Sequence, residues 1–280
     1  LTLTLTLTLS LQSTGRTAHM PLKPLIALVF LALATVAGQG VAQTAKDSRE
    51  QIIDLLGRLP EIAPVRDQLM AQGFRGEKLA LAEEHTRLMM NDKLVAGYIA
   101  DRLIALYDGD LSAGVATEGL IAPLYDSGIT HLPLAEMKFF HQMQRALLDG
   151  MSQRNCGLIV KGQMRPQRME DTLGRAETHF TLKTLRTYYR IQRKAVRLGV
   201  TRAPKQLSPM DHARIEQTIA QALRARVASD ENAKALARTF DNLDRARPIA
   251  ACAAGKLFAD VILEMNGKEL RLALLYLGGL

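Results

Sequence analysis

Apolar residues recur along this chain at the spacing of buried helical faces, and most such segments begin or end on a recognisable capping residue. Asp47 followed by Glu50 resembles a capping box that opens a helix through Leu59, with Ile52, Ile53, Leu55, Leu56 and Leu59 on its apolar side. Pro60 stops it, and a short helix is expected from Pro64 to Ala71. One long helix is predicted from about Glu77 to Tyr107. Its residues Leu81, Leu88, Val95, Ile99, Leu103 and Leu106 step by three, four or seven, and Gly109 ends it. Leu111 to Tyr125 reads as helix too, weakened by Gly114, Gly119 and Pro123.

Beyond the turn at Asp126-Ser127-Gly128, Pro133 stands in the first turn of a helix that runs to Leu148 and closes at Gly150. Cys156 to Val160 is short and apolar, compatible with helix or strand. A very basic helix is predicted over roughly Arg168 to Leu198, with Gly199 as its C-cap. Ser208-Pro209-Met210-Asp211 is the clearest start signal, with Ser at N-cap, Pro at the first helical position and an acid at the third. That helix runs through about Val227, and Ser229 caps the next. Pro248 precedes a helix carrying Cys252 through Met265, and Asn266-Gly267 turns the chain. Glu269 to Leu277 reads as a last helix in preference to an alternating strand. The expected fold is all-α, an irregular bundle of roughly eight to ten helices forming a single domain over 43–280. No internal repeat at a period of about 20 to 50 residues is present.

Residues 1–42 are set apart from this fold. Leu1 to Leu9 is a pure Leu-Thr alternation upstream of Met20, the first methionine; residues 1–19 read as a mis-translated leader, although the alternation would suit a strand. From Met20, Lys23, the apolar run Leu25 to Val36 and the small residues up to Ala42 have the form of a signal peptide cleaved near Ala42. The run is short for a span of about 30 Å of hydrocarbon, and the alternative is an anchor left in place. The expected location is periplasmic or secreted, with no transmembrane segment in the mature chain.

The 280 residues are 48% hydrophobic, enough for a substantial core, but only 5% aromatic and without Trp. Export gives the two cysteines a meaning. In an oxidising compartment Cys156 and Cys252 form a natural disulfide pair closing 96 residues, for which chain entropy predicts roughly 4 to 5 kcal/mol. The alternative is two separately buried thiols. Neither cysteine has a His or another Cys nearby at metal-ligand spacing, so no metal is expected.

Charge is unevenly placed. The whole chain is +8, and losing Arg16 and Lys23 with the leader leaves +6. Lys161 to Lys205 contains twelve Lys or Arg against Glu170, Asp171 and Glu177, a net +9, so the rest of the mature chain is −3. On a helix, Lys183, Arg186, Arg190, Lys194 and Arg197 fall within a stripe roughly 80° wide. Phe180, Thr184, Tyr188, Ile191, Ala195 and Leu198 form a second face, and Leu182, Leu185, Tyr189 and Val196 a third. Such a helix packs between neighbours and shows a cationic ridge to water. The ridge either binds an anionic partner or is a solvated edge neutralised by acids on adjacent helices. Nucleic acid is disfavoured as that partner, because no recognition motif accompanies the charge.

Catalytic motifs are missing. The chain holds no H-E-x-x-H, G-x-S-x-G, P-loop, dinucleotide-binding turn or C-x-x-C-H, and no cofactor is expected. Glu83 and Glu84 directly precede His85, and Glu136 lies five residues before His141; neither spacing puts both side chains on one helical face. His85, in phase with Leu81 and Leu88, is expected at the core edge, and His141, beside Lys138 and Arg145, on a solvated face. His131 is expected to satisfy the helix start at Pro133; His179 falls among basic side chains, and His212 follows a capping segment. The sequence therefore points to an exported, non-catalytic helical protein that binds an anionic envelope component or an acidic protein. One alternative is an envelope hydrolase using Glu83, Glu84 or Glu136 with a histidine; another is a helical partner-binding or oligomeric structural protein.

Overall fold

Helix follows helix, with no strand, through the residues described by the computed structural model, 45–61, 63–107 and 120–278. The expected leader, the signal peptide and the first part of the helix expected at Leu111 lie outside them. In chain order the elements are α1 (Ala45–Arg58), α2 (Ala63–Ala71), α3 (Gly76–Met90), α4 (Lys93–Tyr107), α5 (Ala122–Ile129), α6 (Leu134–Asp149) and α7 (Gln153–Val160). There follow α8 (Pro166–Glu177), α9 (Leu182–Thr201), α10 (Pro209–Ala228), α11 (Ala233–Asp241), α12 (Pro248–Leu263) and α13 (Gly267–Gly278). Short 3-10 turns occupy Leu59–Glu61 and Leu243–Arg245.

The fold is all-α as expected, but the thirteen α-helices among the described residues are more than the eight to ten read from the sequence. Local capping accounts for part of the excess. The long helix expected over Glu77–Tyr107 breaks at Asn91-Asp92, where Asp92 Oδ1 accepts hydrogen bonds from the backbone N–H groups of Leu94 and Val95 and starts α4. The basic helix expected from Arg168 breaks at Thr178–Thr181, where the Thr181 hydroxyl accepts from Thr184 N at 3.2 Å and caps α9. Ser152 does the same for α7, accepting from Asn155 N, which makes Cys156 to Val160 helical. Ser208 caps α10 by accepting from Asp211 N. Helix α1 begins at Ala45, so Asp47 and Glu50 lie within it and not at its cap.

Helix α9 is the hub of the packing, against α3, α4, α5 and α6. Leu185, Tyr188, Tyr189, Ile191, Ala195 and Val196 are all buried, in one cluster with Phe74, Leu103, Tyr125 and Leu274. Two glycines let α5 and α9 touch backbone to backbone. A methyl on Gly128 would overlap the Ala195 carbonyl oxygen, and one on Gly199 would overlap that of Leu124. Gly157 plays the same part between α7 and the Pro248 carbonyl at the start of α12. Beside it, Cys156 and Cys252 are joined in a disulfide with Cα atoms 5.2 Å apart, surrounded by Leu148, Val160 and Ala251. Among the described residues no helix is long and apolar enough to cross a membrane.

Candidate functional site

Two groups of polar residues stand out, both organised by α9: a row of cations along its exposed edge and a set of hydroxyl, amide and carboxyl groups beneath it. The capping of α9 at Thr181 fixes where the row begins. Lys183, Arg186, Arg190 and Arg197 are exposed and Lys194 is half-buried. Glu136 of α6 takes two of these cations, with Arg190 Nη1 at 3.0 Å and Lys194 Nζ at 2.5 Å. Burial works against the charge of Glu136, but hydrogen bonds from Lys194 and Arg190 outweigh it and hold its carboxyl below the usual range. Asp92, at the α3–α4 corner, takes Arg197 at 2.8 Å. Lys183 and Arg186 make no ion pair with any described residue. Five cations on this edge therefore meet two carboxylates, and the edge keeps a net +3.

Under the edge, Tyr188 and Tyr189 turn into the core. Tyr189 donates to Glu177 Oε2 at 3.0 Å and stacks on His85, ring centroids 4.1 Å apart. Arg193 donates to His85 Nδ1 at 3.1 Å, so a continuous polar row leads from the core to the cationic edge. Glu177 is 1% exposed, and burial pushes its carboxyl up to about 8, against the opposing hydrogen bond from Tyr189. His85, expected at the core edge, is 9% exposed there; burial, helped by the charge of Arg193, lowers it to about 3. Tyr188 hydroxyl accepts from Gln144 Nε2 at 2.7 Å, while the hydroxyl of buried Tyr125 has no partner among the described residues.

His141 departs from the expected solvated face. Arg145 is bent away into ion pairs with Asp149 and Asp260, and the His141 ring lies edge-on to Phe140 with Nε2 out of contact with solvent. Burial lowers it to about 4. His131, expected at the start of α6, instead bonds the Ala203 carbonyl at 2.7 Å and ties the α9–α10 connection to α5, as Ser127 and Thr130 do through Arg202 O and Lys205 N. His179 is exposed; His212 faces Glu216 and the Tyr276 ring. Glu83 pairs with Arg66 at 3.3 Å, and Glu136 is held at the α9 edge, so they serve different partners. Among the described residues no three His, Cys, Asp or Glu side chains come together in a metal-ligand arrangement.

The buried acid Glu177 and the imidazoles of His85 and His141 set a pH profile for stability. Glu177 keeps its proton in the folded chain to about pH 8, whereas the ordinary value is 4.5; across that interval the folded state holds the extra proton, and stability falls as pH rises. His85 and His141, at about 3 and about 4, take up protons near 6.5 once unfolded, so stability falls as pH drops below that value. Two histidines outweigh one glutamate below pH 6.5, and Glu177 prevails above it. Stability is therefore expected to peak near pH 6.5 and to fall by roughly 1 kcal/mol in all by pH 8. Urea titrations at pH 5, 6.5 and 8 check this. Glu177→Gln, which still accepts from Tyr189, removes the alkaline decline; a decline that persists in this variant refutes the assignment.

Compared with protein-family models, with curated proteins and with solved structures, the chain matches none of them.

Proposed function

We propose that this is an exported, non-catalytic helical protein that binds an anionic component of the cell envelope along the exposed edge of α9. The observation that carries the reading is the imbalance at that edge: Lys183, Arg186, Arg190, Lys194 and Arg197 against only Glu136 and Asp92. The edge lies on a helix whose other sides are buried, so its cations face outward together toward a surface carrying phosphates or carboxylates. The disulfide supports the exported half of the reading, because such bonds persist in oxidising compartments. Lipid headgroup phosphates, phosphorylated glycolipids and an acidic protein share the chemistry that fits.

The test uses the two cations that hold no structural partner. Lys183→Glu with Arg186→Glu leaves the Glu136 and Asp92 ion pairs in place, so the melting temperature should stay near that of the parent. Binding to phosphatidylglycerol-containing vesicles in low salt should fall at least about 30-fold, at roughly 1 kcal/mol per cation near an anionic surface. Vesicles of phosphatidylcholine alone are the control. Equal binding by parent and variant, or binding insensitive to salt, would remove this function.

A further inference from the structure

The two carboxylates at the α9 edge do different work. Asp92 is committed twice: its Oδ1 caps α4 by accepting from the N–H groups of Leu94 and Val95, and its Oδ2 takes Arg197. Glu136 stands at the third position of α6, where a glutamate commonly reaches back to the N–H of the capping residue. Here that residue is Pro133, which has no N–H to offer. Both Glu136 oxygens go instead to α9, Oε1 accepting from Arg190 Nη1 at 3.0 Å and Oε2 from Lys194 Nζ at 2.5 Å. The contact is open to solvent on the side of the cations, whose side chains are 56% and 40% exposed. Arg190 and Lys194, one helical turn apart, thus form a fork that holds the two oxygens of a single carboxylate. A phosphate also presents two oxygens on one centre. Glu136 displays, from within the chain, the class of group that the fork accepts.

We infer that Arg190 and Lys194 are an oxyanion subsite of the α9 edge, which Glu136 fills as an internal competitor until a phosphate or carboxylate of the partner replaces it. The inference rests on the reading of that edge as an anion-binding surface, and it divides the edge in two. Lys183 and Arg186, which pair with no described carboxylate, supply the attraction felt at a distance. The fork is already satisfied, so an arriving anion gains there only the difference between its own contacts and those of Glu136. A halide ion, a single atom, does not reproduce the paired contacts of a carboxylate, whereas a two-oxygen group does; the competitor therefore makes the fork selective. Arg197 stays with Asp92, because moving that acid would uncap α4.

Two probes separate the sources of the oxyanion: phosphatidylglycerol-containing vesicles for a lipid-borne one and inorganic phosphate for a free one. Glu136→Gln keeps the shape of the side chain and removes its charge. It should raise affinity for the vesicles in low salt at least about fivefold, the equivalent of one charge at roughly 1 kcal/mol near an anionic surface. Glu231→Gln, in the exposed turn between α10 and α11, removes the same charge away from the fork and should leave affinity nearly unchanged. Arg190→Gln separates competition from simple charge. With Glu136 in place it should cost little, because that cation is already committed; in the Glu136→Gln background it should cost about fivefold. Side-chain ¹⁵N shifts of Arg190 on replacing chloride by phosphate at equal ionic strength assign the fork to free oxyanions as well; a response to vesicles alone assigns it to the lipid headgroup. No gain from Glu136→Gln with either probe, or an Arg190→Gln cost equal in the two backgrounds, overturns the inference, and vesicle binding by the parent would then keep the reading of the edge intact. Binding by neither the parent nor the Glu136→Gln protein removes both.

Discussion

Gly128→Ala is expected to cost more than about 3 kcal/mol, at the upper end of overpacking effects, because the added methyl meets backbone and not a side chain that can swing away. At this crossing α5 and α9 approach until Gly128 faces the Ala195 carbonyl and Gly199 faces that of Leu124. Relief requires moving α9 as a body, which strains the burial of Tyr188 and Ile191 and the ion pairs of Arg190 and Lys194 with Glu136. Gly199→Ala should have a similar effect. The double variant should cost less than the two added together, because helices forced apart by one methyl have room for the other. Gly97→Ala is the contrast: its methyl would meet only the end of the Arg49 side chain, and alanine is the better helix former by about 1 kcal/mol, so little loss or a gain is expected. Denaturant midpoints for the four variants check this; a Gly128→Ala protein as stable as the parent would mean the two helices are not in backbone contact.

Replacing Cys156 and Cys252 together by alanine is expected to cost about 4.7 kcal/mol, the loop-entropy value for a closure of 96 residues. Stabilities of whole domains run to only about 5–15 kcal/mol, so this removes a large share. At roughly 2–4 °C per kcal/mol for a chain of this size, the melting temperature should fall by about 10 °C. Both sulfurs are buried, with Cys156 0% and Cys252 3% exposed, so in the parent the bond is expected to resist mild reductant until the chain opens. A melting temperature lowered by less than about 2 °C would show that the reduced α7–α12 contact suffices by itself.

What could be read in the sequence follows the range of the interactions. Helix starts set by one residue, at Ser208, Pro248 and the proline before α6, are local, and the structure has them. The disulfide was legible because two cysteines in a chain expected to be exported leave a single pairing. The breaks at Asp92 and Thr181 were hidden because the apolar spacing from Leu88 to Val95 carries on across the first, and a dense run of basic residues masks the second. Either cap residue could have signalled the break. Partners distant along the chain were not legible: Glu136 meets Arg190 and Lys194 across 54 and 58 residues, and Asp92 meets Arg197 across 105. Glu177 is the sharpest case. By sequence it is one of three acids that offset a basic segment; in the fold it is buried against Tyr189 and keeps its proton near neutrality. His141 was misread for a related reason, since Lys138 and Arg145 look like a wet surface until Arg145 folds down onto Asp260.

The covalent tie between α7 and α12 also sets how the molecule would answer to force. Pulled from its two termini, the segment between Cys156 and Cys252 carries no tension, and about 330 Å of contour length stays hidden at roughly 3.4 Å per residue. Helices α8 to α11, the cationic edge among them, lie wholly inside that shielded loop. A load that strips away α1 to α6 from one end and α13 from the other would leave the edge of α9 on a closed ring, its chain unstretched until the sulfurs part.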